Sequence, residues 1–137
     1  MQKNWNLEIT THPNAEDVNF LTKKINEEVV NKGNAYPFAM YLRKSEEIIA
    51  GCNGSIIFGS IYTDQLWVAP AHRRKGLGKK LMEAIHKYGK KNSCRIATVT
   101  TMSFQAIEFY KKLGYKIDFV REGYVDNSSC IFLSLKI

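Results

Sequence analysis

Apolar and polar residues follow two different periods along the chain, and these periods divide it into strands and helices. Residues 5–10 alternate apolar and polar side chains, which predicts a half-buried strand before the break at Pro13. Residues 15–31 carry apolar side chains at helical spacing, and Gly33 is typical of the stop that follows a helix. The chain is therefore predicted to open with a strand and a helix.

The middle of the chain favours strands and then a helix. Segments 37–43 and 48–57 are extended and joined by a polar turn, and segment 60–68 is a third strand, which Pro70 ends. Residues 77–91 place their apolar side chains on one face, which predicts an amphipathic helix. Residues 95–100 are rich in β-branched side chains, as a buried parallel strand is.

The last third of the chain predicts one more helix and two strands. Ser103 is predicted as the helix N-cap and Gly114 as its stop. The apolar face of this helix is predicted to consist of Ala106, Ile107, Phe109, Tyr110 and Leu113. Strands over 115–120 and 130–137 complete the order β, α, three β, α, β, α, β, β. Antiparallel strands followed by a βαβ unit predict an α+β fold, with a mixed sheet and helices on both faces.

Length and cysteine usage limit the kinds of protein this can be. A chain of 137 residues favours a single domain over residues 1–137. It has no apolar run of the roughly 20 residues that a membrane helix needs, and its first residues do not resemble a signal peptide, so we expect a cytoplasmic protein without a membrane partner. Cys52, Cys94 and Cys130 are widely spaced, which argues against a disulfide framework and against a metal site.

The net charge of +7 is concentrated in one segment. Residues 72–91 contain eight Lys or Arg residues against Glu83 alone, whereas the rest of the chain has twelve of each sign. A localised basic patch indicates a polyanionic partner, such as cofactor phosphates, nucleic acid or anionic lipid. A solvated helix face would by itself explain the later lysines of the segment.

The start of the basic segment has the features of a phosphate site. A helix is predicted to begin near Gly76, and its first N–H groups lack intrahelical acceptors and lie at the positive end of the helix dipole. Gly76 and Gly78 let a phosphate approach the backbone closely. The surrounding basic residues are Arg73, Arg74, Lys75 and Lys79. Neither a Walker loop nor a GxGxxG fingerprint is present.

Two blocks of this sequence resemble one known family. The pattern Arg73-x-x-Gly76-x-Gly78 resembles the Q/R-x-x-G-x-G/A cofactor motif of GNAT acetyltransferases, and residues 66–70 look like the fourth strand of that family. Residues 103–115 resemble the family's N-x-x-A-x-x-x-Y-x-x-x-G-F/Y helix, with Ser103 where many members have Asn. The order of elements matches along nearly all of the chain.

The resemblance implies a GNAT-like, mostly antiparallel sheet flanked by helices, with acetyl-CoA as cosubstrate and no metal. Acetyl-CoA would lie where two central strands splay apart, its pantetheine arm along one strand and its pyrophosphate on the amides of residues 74–79. The implied cofactor-binding residues are Leu66, Trp67, Val68, Arg73, Arg74, Lys75, Gly76, Leu77, Gly78, Lys79, Ser103, Phe104, Ala106 and Tyr110.

Two residues are candidates for the chemistry of acetyl transfer to an amine. Tyr110 matches the family tyrosine that protonates the leaving thiolate, although a tyrosine at this position could instead be a core residue. Asp64 lies on the strand leading to Trp67 and is the best candidate for the base, or else a surface carboxylate. Tyr62 should face the same side as Asp64. His72 is either a solvated loop residue or an alternative base.

Other functions remain open at this stage. The basic segment could serve a nucleic-acid-binding module, although such modules interleave exposed aromatic residues with the charges, and this segment has only Tyr88. A GNAT-like protein could also sense acyl-CoA without turnover. The acceptor could be a small amine, an aminoglycoside-like polyamine, or a protein lysine or N-terminus, and the protein could be a monomer or a homodimer.

Overall fold

The computed structural model describes residues 4–137 and contains three α-helices, two short 3-10 helices and six strands within that range. The helices are α1 (Ala15–Glu28), α2 (Leu77–Lys91) and α3 (Ile107–Lys112). The strands are β1 (Ala35–Lys44), β2 (Glu47–Ile57), β3 (Ser60–Val68), β4 (Ile96–Met102), β5 (Lys116–Arg121) and β6 (Cys130–Lys136). The strand and helix types predicted for residues 15–137 are confirmed.

All six strands belong to one sheet, in the order β1-β2-β3-β4-β6-β5. Every neighbouring pair is antiparallel except β3 and β4, which are parallel because α2 connects them as a crossover. The predicted mixed, mostly antiparallel sheet flanked by helices is thus confirmed. The parallel pair lies at the centre of the sheet, where the chain also carries its candidate chemistry.

Helix α2 forms because its apolar residues recur on one face, and that face is buried. Leu81, Met82 and Ile85 are each at most 3% exposed and belong to the same core cluster as Ile61 of β3. Burying each of these side chains contributes about 1.5–3 kcal/mol before the entropic cost of ordering it. The packing of α2 against the central strands therefore holds the start of the helix at the end of β3.

The strand predicted over residues 5–10 is wrong, since residues 4–10 have no regular secondary structure. Leu7 and Ile9 are 84% and 87% exposed, and helix α1 has no buried residue. A strand needs a neighbour for its backbone groups and a surface for its alternate side chains. Strand β1 is the edge of the sheet and pairs with β2 alone among the described strands.

The predicted N-cap at Ser103 is also wrong, because α3 begins later, at Ile107, and its cap position has no side-chain hydrogen bond. Ser103 instead joins the segment before β6. Its N–H donates to the Ser129 carbonyl (2.8 Å), and its Oγ accepts from the Ser129 N–H (3.0 Å). The hydrogen bonds between Ser103 and Ser129 thus continue the pairing of the two chain segments past the end of β4, and α3 begins four residues later.

Candidate active site

Strands β3 and β4 separate part of the way along their length. Their pairing begins at Ser60 and ends at Thr63 on β3, although that strand continues to Val68. On its other side β3 stays paired with β2 as far as Val68. The β4-facing backbone of residues 64–68 therefore borders a gap, as predicted for splayed strands.

A β-bulge lies at the point where the strands separate. Thr63 and Gln65 are opposite consecutive residues of β2, so Asp64 between them is one residue too many for the ladder. Gly54 on β2 permits this close approach, because a Cβ there would lie 1.8 Å from the backbone oxygen of Tyr62. The bulge releases Asp64 from the ladder, and its exposed side chain borders the gap.

The gap between the strands is a cavity of about 520 Å³, which we call the splay cavity. Four strands and the region of α3 contribute to its wall. The lining residues are Tyr41, Ile48, Gly51, Cys52, Asn53, Asp64, Gln65, Leu66, Trp67, Thr100, Thr101, Gln105, Ala106 and Tyr110. Both candidates for chemistry, Asp64 and Tyr110, therefore line one cavity.

A second cavity, of about 480 Å³, lies at the start of α2, and we call it the cradle. Its lining residues are Leu66, Trp67, Val68, His72, Arg73, Arg74, Gly76, Leu77, Gly78, Lys79, Ala106 and Phe109. The cradle and the splay cavity share Leu66, Trp67 and Ala106. The two cavities therefore adjoin each other, and together we call them the cleft.

The backbone of the cradle has two conformational features that are typical of anion sites. Arg74 and Gly76 have left-handed conformations, with φ of 62° and 78°, and such turns direct successive N–H groups toward a common centre. The first N–H groups of α2 have no intrahelical acceptor and carry the positive end of the helix dipole. Arg73 Nε donates to the Val68 carbonyl (2.8 Å), which fixes the loop to the end of β3.

Tyr110 lies in the wall of the splay cavity with its ring held between two others. It is 7% exposed, and the Phe109 and Tyr115 rings meet it edge-on at centroid distances of 5.1 and 5.7 Å. Burial, with smaller effects of Cys52 and Tyr62, raises the pKa of Tyr110 to about 12. The hydroxyl thus keeps its proton at neutral pH and can donate it.

Several residues of the splay cavity were not predicted from the sequence. Cys52 is buried beside Tyr110, and burial raises the pKa of its thiol, so the sulfur is protonated at neutral pH. Asn53 and Gln65 join their side-chain amides across β2 and β3 at 2.7 Å. Only the pairing register brings Cys52 and Asn53 of β2 to Asp64. The one sequence signal for this register was Gly54 within a strand, which is typical of a bulge.

Some predicted site residues lie elsewhere. Ser103 and Phe104 line a separate cavity with residues 125–128, and Lys75 is outside both cavities of the cleft. Tyr62 borders a neighbouring cavity, where its hydroxyl lies 3.2 Å from Thr100 Oγ1. Thr100 lines both that cavity and the splay cavity. Tyr62 therefore contacts a residue of the splay cavity without lining that cavity itself.

The described residues contain neither a metal site nor a membrane span. In residues 4–137, no three His, Cys, Asp or Glu side chains come together in a way that could hold a metal ion. Over the same range, no helix is both long enough and apolar enough to cross a membrane.

Comparison with solved structures supports the fold. An acetyltransferase from Bacillus cereus ATCC 14579 is 26% identical with a TM-score of 0.74, over 95% of this chain and 98% of that one. An aminoglycoside 6'-N-acetyltransferase, solved in complex with coenzyme A, is 18% identical with a TM-score of 0.65, over 80% of this chain and 76% of its own.

Comparison of sequences points in the same direction. The Blasticidin-S acetyltransferase of Streptomyces morookaense is 31% identical over 72 residues, which are 52% of this chain and 53% of that protein. The chain thus matches about half the length of this curated relative. The model of the Acetyltransferase (GNAT) family matches residues 2–115, a range that contains the cradle, the splayed strands and Tyr110. With most of its length matched in this way, the chain belongs to the GNAT family of acetyltransferases.

Proposed function

We propose that this protein is an N-acetyltransferase that moves an acetyl group from acetyl-CoA to a primary amine by direct attack. The position of the cradle beside the splay cavity, with three lining residues in common, carries the proposal, because a long cosubstrate with phosphates at one end and a reactive thioester at the other fits two adjoining cavities. The coenzyme A complex of the aminoglycoside 6'-N-acetyltransferase supports the same cosubstrate here. We also propose that residues 1–137 form a single domain.

The residues of the cradle suit a pyrophosphate. Its oxygens would accept from the N–H groups of residues 74–79, where two left-handed residues and the start of α2 converge. The pantetheine arm would lie along the β4-facing edge of β3 at Leu66 and Trp67, which both cavities share. An N–H of this edge would stabilise the charge that develops on the thioester oxygen.

Tyr110 is proposed as the general acid. The amine nitrogen bonds to the acetyl carbon, and the carbon–sulfur bond breaks with its electron pair on sulfur. Tyr110 gives its proton to that sulfur and recovers one from water. An alkylammonium acceptor loses two protons in all, so one balances the proton on sulfur and the other is released. The raised pKa of Tyr110, about 12, keeps the donor protonated at neutral pH but also makes it a weaker acid than an exposed tyrosine, so the transfer depends on close contact between its hydroxyl and the sulfur.

Asp64 is proposed to receive the cationic acceptor and take its proton, directly or through a water molecule. An alkylamine of pKa about 10.4 is charged at neutral pH and must lose a proton before it attacks. Asp64 is the only Asp or Glu among the lining residues of the splay cavity. Its carboxylate is therefore well placed to attract the ammonium and to deprotonate it.

Direct attack is proposed rather than transfer through an acyl-cysteine. Cys52 is the only cysteine that lines the splay cavity, so it is the one thiol there that could form such a species. Burial raises its pKa, and a protonated thiol is a weak nucleophile. At neutral pH, little of the Cys52 thiol in the splay cavity would therefore be present as the nucleophilic thiolate.

The acceptor is proposed to be a small amine or a peptide amine that carries hydrogen-bonding groups. Beside Asp64, the Asn53 and Gln65 amides have donors and acceptors left over from their mutual bond, and the exposed rings of Tyr41 and Trp67 can pack against an acceptor. Blasticidin S is the first compound to test, because the matched relative is named for its acetylation.

Calorimetry with acetyl-CoA, followed by a screen of amines for thiol release, tests the function. We expect 1:1 binding, a rise in melting temperature with acetyl-CoA, and turnover with at least one amine. Absence of both binding and a melting shift at millimolar acetyl-CoA would refute the proposal. Tight binding without turnover for any amine would favour the alternative of an acyl-CoA sensor.

A further inference from the structure

Helix α2 contacts two aromatic residues that touch Tyr110, one on α3 and one just after its end. On one side, the Phe109 ring lies against the first turn of α2, 3.3 Å from where a Cβ of Gly78 would stand. On the other side, the Tyr115 hydroxyl is 2.7 Å from His86 Nε2, two turns further along α2. The Phe109 and Tyr115 rings both meet the Tyr110 ring edge-on. Their contacts with α2 therefore also constrain the position of the Tyr110 ring.

The His86–Tyr115 bond is set deep enough to define one geometry. Tyr115 is 3% exposed, and a buried hydroxyl is costly to leave without a partner. Among the described residues, His86 is the only side chain that hydrogen-bonds it. Burial raises the pKa of Tyr115 and, together with Lys90, lowers that of His86, so both groups are neutral at neutral pH. The bond therefore fixes the orientation of the ring on which Tyr110 rests.

We propose that His86 and Tyr115 are positioning residues that hold Tyr110 in the orientation for proton donation. This inference rests on the proposed role of Tyr110 as general acid. Helix α2 carries the cradle at its first turn and His86 two turns later, so one rigid element sets both where the cosubstrate is bound and where the acid stands. Proton transfer needs donor and acceptor atoms within roughly 2.6–3.2 Å, and small displacements are costly in rate.

The principal test is Tyr115→Phe, which keeps the ring and removes the bond to His86. With the amine that gives the highest rate in the acceptor screen, we expect kcat at neutral pH to fall roughly tenfold, less than on removal of the Tyr110 hydroxyl itself. The KM for acetyl-CoA should stay unchanged because the cradle is untouched. The deficit should shrink at alkaline pH, where the thiolate, of pKa about 8.5, leaves without a proton.

His86 offers a matched pair of variants. His86→Ala should reproduce the loss of kcat, whereas His86→Gln, whose amide can reach the same hydroxyl, should restore most of it. The double variant Tyr110→Phe/Tyr115→Phe should be no slower than Tyr110→Phe alone, because a positioning residue has no effect once its acid is gone.

The outcomes separate this inference from the function on which it rests. A Tyr115→Phe deficit that is equal at every pH, or that persists in the Tyr110→Phe background, would mean a structural role only and overturn the inference. Wild-type kcat in Tyr115→Phe beside a slow Tyr110→Phe would overturn it as well, leaving the general acid intact. Wild-type kcat in Tyr110→Phe would reject the proposed acid, and the inference with it.

Discussion

The two ends of the cleft are built in different ways. The cradle takes nearly all of its wall from residues 66–79, which are close neighbours along the chain. The splay cavity draws on four strands and α3, from Tyr41 to Tyr110. A site built from one short segment is visible as a motif, whereas a site assembled across a sheet depends on strand register. Most residues that line the cradle were accordingly predicted as cofactor-binding, a role that stays a prediction, whereas only Asp64, Leu66, Trp67, Ala106 and Tyr110 of the splay cavity were predicted.

The largest effect is expected at the splay cavity, from Tyr110→Phe. Without the hydroxyl, kcat at neutral pH should fall about 10²-fold, the usual scale of general acid catalysis, with little change in acetyl-CoA affinity. Because the pKa of Tyr110 is raised to about 12, its hydroxyl in the wild type stays protonated well above pH 8.5, at which about half of the coenzyme A thiol is ionised. The difference between the two proteins should shrink there.

Measurements of kcat from pH 7 to 10, with single turnovers to show that chemistry limits the rate, check this. Equal kcat at neutral pH under those conditions would reduce Tyr110 to a packing residue. In that case, removal of the Tyr110 hydroxyl should lower the free energy of unfolding by only about 0.5–1.5 kcal/mol.

At the cradle end, Gly78→Glu should weaken acetyl-CoA binding at least tenfold, or about 1.4 kcal/mol. The added carboxylate repels the phosphates, and the new Cβ presses on the Phe109 ring at 3.3 Å. Gly78→Gln makes the same contact without the charge and is the matched control. Titration calorimetry of both variants isolates the electrostatic part, and equal affinities would show that the phosphates lie elsewhere.

A smaller effect, about tenfold in kcat/KM for a cationic amine, is expected for Asp64→Asn. The amide neither attracts an ammonium nor removes its proton. The loss should diminish as the pH approaches the pKa of the amine, about 10.4 for an alkylamine, because the acceptor then arrives deprotonated. Initial rates over that range check this, and a loss that is independent of pH would limit Asp64 to a steric or hydrogen-bonding role.

The smallest effect should come from Cys52→Ala, which tests whether the splay cavity contains a nucleophile. Direct attack predicts a kcat within about threefold of wild type and a melting temperature a few degrees lower, from the small loss of buried volume. An acyl-cysteine route would instead abolish turnover. Mass spectrometry of the wild type after mixing with acetyl-CoA alone should find no added acetyl group on Cys52.

Local patterns predicted the helix and strand types over residues 15–137, although α1 ends at Glu28, before the predicted stop at Gly33. The other two failures share a cause. Helix α2 begins and ends where its apolar period and Gly76 placed it. The segment 5–10 has the alternation of a strand but forms no regular secondary structure, and Ser103 has a good cap side chain but is hydrogen-bonded to Ser129 instead. Periodicity and cap preference report what a segment can form, and tertiary partners decide which possibility is realised.

The sequence by itself determined the fold class and the cradle, because helical period, strand alternation and the spacing of Arg73, Gly76 and Gly78 are properties of short segments. Only the tertiary structure decided the rest. The bulge at Asp64 depends on the register between β2 and β3, and the burial that sets the pKa of Tyr110 depends on rings and strands brought together from distant parts of the chain. Register and burial arise from long-range packing, which leaves little trace in the order of neighbouring residues.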